Sequence, residues 1–130
     1  MSDFANSLSV SSSGLRAQAA RLRHLSENIS NADTPGYRRK LVSFETVAGG
    51  RNTVAAVEAG RVRLDQTALE QIYDPSHPLA NESGQYDGSN VNLLIELADA
   101  REAQRSYEAN LKMFEQTRKM SAGLLDLLRR

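Results

Sequence analysis

The sequence predicts a mainly α protein with a small β insert: long N- and C-terminal helices pair as a coiled-coil core, and a short β-rich segment joins them. Three observations predict it. Apolar residues recur at helical spacing over about five heptads between Val91 and Arg130. They recur again every seventh residue between Leu8 and Ile29. The stretch between is punctuated by Pro and Gly and holds only short runs of strand-forming residues. The boundaries that follow are 1–33 for the N-terminal helix, 34–90 for the loop and insert, and 91–130 for the C-terminal helix.

The C-terminal stripe is Leu93, Leu97, Ala100, Gln104, Tyr107, Leu111, Phe114, Arg118, Ser121, Leu125 and Leu128, with no Pro inside it. Glu108 before Lys112, Glu115 before Lys119 and Asp126 before Arg130 are acidic residues four places ahead of basic ones, the favourable order on a helix. A helix of this length spans roughly 55 Å at 1.5 Å per residue, more than a chain of this size can bury against itself. It needs a partner, and the N-terminal repeat supplies one: Leu8, Leu15, Leu22 and Ile29 in one seam position, Phe4 and Leu25 in the other. The remaining positions, Ser11, Gln18, Gln104, Arg118 and Ser121, are polar, and polar groups buried without partners cost about 1–3 kcal/mol each. Additional copies would seal such a seam.

Composition narrows the function classes. The 16 Lys and Arg balance the 16 Asp and Glu, so there is no global bias toward nucleic acid or acidic membranes. The absence of Cys excludes disulfides and thiolate chemistry, and 5% aromatic residues without Trp argue against a dense globular core. Residues 5 to 14 are interrupted by Ser, Asn and Gly, so neither a cleavable secretory signal nor a membrane span is expected.

In chain order, Asp3 is the expected N-cap of a helix starting near Phe4. Ser11-Ser12-Ser13-Gly14 weakens that helix, and Ala17, Ala19 and Ala20 offer small faces for close approach. Asn31-Ala32-Asp33-Thr34-Pro35-Gly36-Tyr37 stops it, because Pro35 disfavours helical angles at Thr34 and Pro-Gly fits the centre of a type II turn. Tyr37 to Phe44 reads as a short strand or extended arm carrying Arg38, Arg39 and Lys40, which are either a solvated edge or a patch for an acidic neighbour. The insert is itself acidic, with Glu58, Asp65, Glu70, Asp74, Glu82 and Asp87 against Arg61 and Arg63, and under the second reading the basic arm of one copy would meet the insert of another. Val54 to Val57 and Gly60 to Leu64 read as strands, with Val62 and Leu64 on one face. Tyr73 to Ala80 contains two X-Pro steps and is not helical, and either Asn90 or Asn92 caps the last helix.

No catalytic pattern emerges. His24 and His77 lack a second ligand at usable spacing, no nucleophile elbow or ordered triad occurs, and Gly49-Gly50 lacks the rest of a phosphate loop. The expectation is a protein that is not an enzyme and has no metal or cofactor.

Ile29-Ser-Asn-Ala-Asp-Thr-Pro-Gly-Tyr-Arg38 resembles the N-terminal signature of the bacterial flagellar rod and hook family. Tyr73-Asp-Pro-Ser-His-Pro-Leu-Ala80, Asn90-Val-Asn92 and Arg105-Ser-Tyr-Glu-Ala-Asn110 are similar to its short proximal-rod branch, and the likeness runs over essentially the whole chain. Two departures are Ser89, where the family has Pro, and Gly84-Gln85-Tyr86 in place of Gly-Tyr-Val.

The resemblance implies a structural subunit of the basal-body rod that stacks helically into the shaft transmitting motor torque across the periplasm. Its implied partners are copies of itself, proximal and distal rod subunits, a rod-base adaptor and the flagellar type III export apparatus, with export that cleaves no signal. Nucleic acid and membrane insertion are not implied. The implied subunit-interface residues are Leu8, Leu15, Leu22, Ile29, Pro35, Gly36, Tyr37, Arg38, Arg39, Leu97, Tyr107, Leu111, Phe114 and Leu125. Phe4 and Leu8 resemble an export-gate motif, though any amphipathic helix places apolar residues four apart. The rivals are a sister proximal-rod protein, a self-sufficient coiled-coil adaptor, and a nucleic-acid binder using Tyr37 to Lys40.

Overall fold

The computed structural model describes residues 2–51 and 54–129. Its helices are α1 (Ser2–Ser30) and α2 (Leu93–Arg129), and between them lie six short strands. These are β1 (Lys40–Leu41), β2 (Phe44–Val47), β3 (Ala56–Ala59), β4 (Arg63–Leu64), β5 (Gln71–Tyr73) and β6 (Gln85–Asp87). The helix, β insert, helix order is as expected. The expected Asp126–Arg130 pair falls outside the described residues.

Helix α1 runs unbroken through Ser11 to Gly14 and begins one residue before Asp3, which lies in the first turn and is not its cap. A carboxylate there still faces the positive end of the helix dipole. The helix stops where Thr34, Pro35, Gly36 and Tyr37 turn the chain, closed by Tyr37 N–H donating to Thr34 O at 3.1 Å. Gly36 adopts φ +74°, the left-handed conformation that the third position of a type II turn demands. Gly36→Ala is therefore expected to cost about 1–2 kcal/mol, read as a lower urea midpoint with an unchanged slope.

At the other helix the cap is Asn92, whose Oδ1 accepts from Leu94 N–H at 3.1 Å and Ile95 N–H at 3.4 Å. Asn90 is used elsewhere.

β1 to β4 form one antiparallel ribbon folded back on itself: Lys40 pairs with Leu64, Leu41 with Arg63, and Phe44 to Val47 with Ala59 to Ala56. Two residues separate β1 from β2 while three separate β3 from β4, so the ribbon carries a one-residue bulge. Bulged and only two strands wide, it has no second layer over its far side, and Val62 and Leu64 are exposed instead of forming the expected apolar face. β5 and β6 make a separate hairpin, Ile72 opposite Tyr86, whose loop holds His77 stacked on Tyr86 with ring centroids 3.9 Å apart.

The helices run antiparallel. Asn28 meets Glu96, Arg21 meets Glu102, and a side chain at Gly14 would come within 3.1 Å of Asn110. Gly14, Arg21 and Asn28 repeat every seven residues, as do Glu96, Ala103 and Asn110, one residue before the Leu8 and Leu97 repeats read from the sequence, while Leu25, expected in the second seam position, is buried. Ala17 and Ala103 are buried at 2% and 0% exposure, and with Gly14 they let the backbones approach. Leu8, Leu15, Leu22 and Ile29 consequently sit half-buried beside the seam. Ala100, Tyr107, Phe114 and Ser121 of the second stripe are half-buried, whereas Leu97, Gln104, Leu111, Arg118 and Leu125 are exposed.

Candidate assembly site and the joint that holds it

Pro35 and Gly36 return the chain toward the end of α1, which brings Tyr37 and the basic trio against both helices. Asn28 organises the contact. Its Oδ1 accepts from Tyr37 Oη at 2.8 Å and from Lys40 N–H at 2.9 Å, while its Nδ2 donates to Lys40 O at 3.0 Å and Glu96 Oε2 at 3.3 Å. The amide thus pairs with both backbone groups of Lys40 as a neighbouring strand would. Asn28 and Glu96 are fully buried, and the centre of this fold is polar.

A buried carboxylate needs a cation, and Arg39 is it. Its Nε donates to Glu96 Oε1, and its terminal nitrogens reach Asp99 at 3.3 Å and Asp65 at 3.7 Å. Asn90 locks the same strand: Oδ1 accepts Arg39 N–H at 2.6 Å and Nδ2 donates to Asp65 O at 3.0 Å. Arg38 donates to the carbonyls of Asp65 and Thr67 at 3.2 and 3.1 Å. Ser89 also contributes, because its hydroxyl donates to Ala32 O and so ties the approach to α2 to the end of α1, a bond that proline could not make.

Lys40 Nζ lies 2.6 Å from Glu27 Oε2. The hydrogen bond from Lys40 holds the Glu27 carboxyl below its ordinary 4.5, and Glu27 in turn holds Lys40 above its ordinary 10.5. Burial raises the Tyr37 phenol, which keeps its proton for Asn28. Bonds from the Thr67 amide and hydroxyl lower Asp65. A lowered carboxyl stabilises the fold above its unfolded value, and that contribution is lost as pH falls through the folded one; the raised Lys40 contributes below 10.5 and is lost above it. The pair therefore adds no pH dependence between 4.5 and 10.5 and weakens the fold on the acid side of that window. Lys40→Met is expected to flatten the acid limb of a stability titration, measured as urea midpoint against pH.

Two of the three basic residues thus find acidic partners within their own chain. Arg39 reaches Asp65 of the insert but is held chiefly by α2, and Lys40 turns to α1. Asn28 and Glu96 are the residues that sequence reading passed over, while Asn90 and Ser13, whose Oγ accepts Val57 N–H at 3.2 Å, take roles other than those expected of them. Of the expected interface residues, Tyr37 and Arg39 belong to this joint, Pro35 and Gly36 form its exposed turn, and Leu97, Leu111 and Leu125 lie on the open face of α2. Met113 and Met120, on the other flank of the same helix, are exposed as well. Among the described residues no metal-binding cluster occurs and no helix is long and apolar enough to cross a membrane.

A hairpin pinned by a polar joint, with leucines and methionines left exposed along α2 among charged residues, has the form of a subunit built to pack against others. Residues 8–38 match the family described as flagella basal body rod protein, and residues 82–127 match the C-terminal family of flagellar basal body rod FlgEFG proteins. Both long helices thus carry the sequence of flagellar basal-body rod proteins. The flagellar basal-body rod protein FlgC of Agrobacterium fabrum is 44% identical over 127 residues, covering 92% of this chain and 91% of its own. FlgC of Bacillus subtilis is 31% identical, covering 94% and 96%, and FlgC of Aquifex aeolicus is 32% identical, covering 92% and 93%. The chain belongs to the FlgC family.

Proposed function

We propose that the chain is a structural subunit of the flagellar basal-body rod, packing among copies of itself and other proximal and distal rod subunits into the shaft that carries motor torque. One observation carries this reading: α2 buries only Glu96 and Ala103 and leaves Leu94, Leu97, Met113, Met120, Leu125 and Leu128 exposed. Exposed apolar area of this extent marks a protein–protein surface. The interface drawn from it takes Leu97, Leu111 and Leu125 from the open face and Tyr107 and Phe114 from its edge. Leu8, Leu15, Leu22 and Ile29 extend it along α1, and Pro35, Gly36 and Arg38 at the turn. Tyr37 and Arg39 serve it by holding that turn in place.

The work of such a subunit is mechanical, with no reaction and no cofactor. Its place is in the rod across the periplasm, seated on a rod-base adaptor and delivered by the type III export apparatus without signal cleavage. Phe4 and Leu8, one turn apart and both half-buried, serve either the seam or the export gate. A Phe4→Ala variant that is secreted normally and fails to assemble assigns them to the seam.

Hydrogen exchange on dilute monomer tests the reading. The expected pattern is protection around Asn28, Tyr37 to Leu41 and Glu96, little toward Phe4 and Leu125, and a rise at both on assembly. Uniform protection of both helices in dilute monomer would instead describe a self-sufficient coiled-coil adaptor.

A further inference from the structure

We propose, resting on the rod reading above, that copies of this chain join through their β ribbons: the free edge of β2 in one copy pairs antiparallel with the free edge of β4 in the next. The hydrogen-bond ladder shows which edges are free. Gly60 N–H donates to Ser43 O at 2.7 Å, so Glu45 with Glu58 and Val47 with Ala56 are the bonded pairs, while Phe44, Thr46, Val57 and Ala59 turn their amides and carbonyls outward. On the β3 side Ser13 answers the Val57 amide. On the β2 side nothing among the described residues answers Phe44 or Thr46.

The other half of the ribbon has the same asymmetry. Asp65 N–H donates to Arg39 O at 2.8 Å, which turns the backbone groups of Lys40 and Leu64 outward. Asn28 covers Lys40. The Leu64 amide, and both backbone groups of Val62 two residues before it, have no partner among the described residues. An open strand edge is a template for another strand, and here one molecule carries two different ones.

Side chains choose the partner. Glu45 and Glu58 lie directly opposite each other, both exposed, with no cation in reach among the described residues, and like charges so placed repel. Arg61 and Arg63 are exposed and equally without an acidic partner. With Thr46 set opposite Val62 of the next copy and Phe44 opposite its Leu64, outward groups meet outward groups and Glu45 falls opposite Arg63. Val62 and Leu64 then share the face of Phe44 and Val57, which with Val10, Ala17 and Met113 line a cleft of about 340 Å³. Leu64 is 50% exposed and Met113 63%, and the pairing covers both. β2 set squarely on β2 of another copy would instead put Glu45 opposite Glu45. The contact is therefore heterologous, leaving each joined copy with one further edge to offer.

The natural chain has no Cys, so introduced thiols report the contact cleanly. Val47 and Arg61 fall opposite each other in this register, yet within one copy they lie at least roughly 13 Å apart along the ribbon, too far for an internal bridge. In a Val47→Cys/Arg61→Cys chain, mild oxidation of concentrated protein and of isolated basal bodies should give a ladder of dimers, trimers and higher species. Either single variant alone should stay monomeric, and a mixture of the two should stop at dimer. Adding Glu45→Lys should abolish the ladder, and adding Arg63→Glu to that chain should restore it. Failure of this rescue, or a Val47→Cys chain that cross-links alone as well as the mixture does, would overturn the pairing. A chain present in basal bodies but giving no ladder there would overturn it and leave the rod reading intact. A ladder in solution from a chain absent from basal bodies would keep the contact and remove the rod reading.

Discussion

Arg39→Ala is expected to destabilise the chain by about 3 kcal/mol, lowering the thermal midpoint by roughly 10 °C. The reason is what remains behind. Glu96 has no solvent exposure, and without the guanidinium its carboxyl keeps only the 3.3 Å bond from Asn28. The lower end of the range for breaking a buried pair applies because the Arg39 side chain is itself 21% exposed, so water replaces part of what is lost. Removing both partners should hurt far less: Arg39→Met with Glu96→Leu leaves no buried charge, and such replacements are often close to neutral. Urea unfolding of the four members of this cycle checks the account. A double variant that falls as far as the two singles added together would show that the pair is not coupled and that the joint is explained wrongly.

Asn28→Leu is the second large effect, at about 3 kcal/mol. It conserves volume but strips the Lys40 amide and carbonyl and the Tyr37 hydroxyl of their partner, and unsatisfied groups cost about 1–3 kcal/mol each when water is kept out. These sites are partly buried, which keeps the sum toward the low side. Tyr37→Phe should cost about 1 kcal/mol in the natural chain and should instead recover part of the loss once Asn28 is gone, because it removes a hydroxyl already left without its partner. Equal costs in both backgrounds would mean that the hydroxyl is satisfied elsewhere.

Much of the fold was legible because its punctuation is local. Pro35-Gly36 has one good turn geometry, the cap of α2 was narrowed to Asn90 or Asn92, and a long stretch without Pro at helical period has few alternatives. The buried place of Leu25 was legible too, but the one-residue offset of Gly14, Arg21 and Asn28 from the Leu8 repeat was not. Leucines were taken to mark the buried face, yet Gly14, Ala17, Ala103 and Asn110 allow closer approach than leucines would, and the charge on Glu96 has to lie beside Arg39. Asn28 and Glu96 drew no notice because a polar side chain on a helix usually faces solvent. The signal that would have found them is the seven-residue repeat of small and polar positions running parallel to the leucines. The β5–β6 hairpin escaped for a different reason: its strands of three residues each carry too little pattern to stand out from Gly and Asn.

The joint also sets how the molecule yields under load. Ser2 and Arg129 lie at the same open end of the hairpin, and the Asn28–Arg39–Glu96 knot lies near the other. Pulling the two free ends apart opens contacts one at a time, as in a zip, and meets the knot only at the last step. Force applied along the helices of a packed array instead loads every lateral contact at once. The same chain is thus soft when handled singly by its ends and stiff once its neighbours are in place.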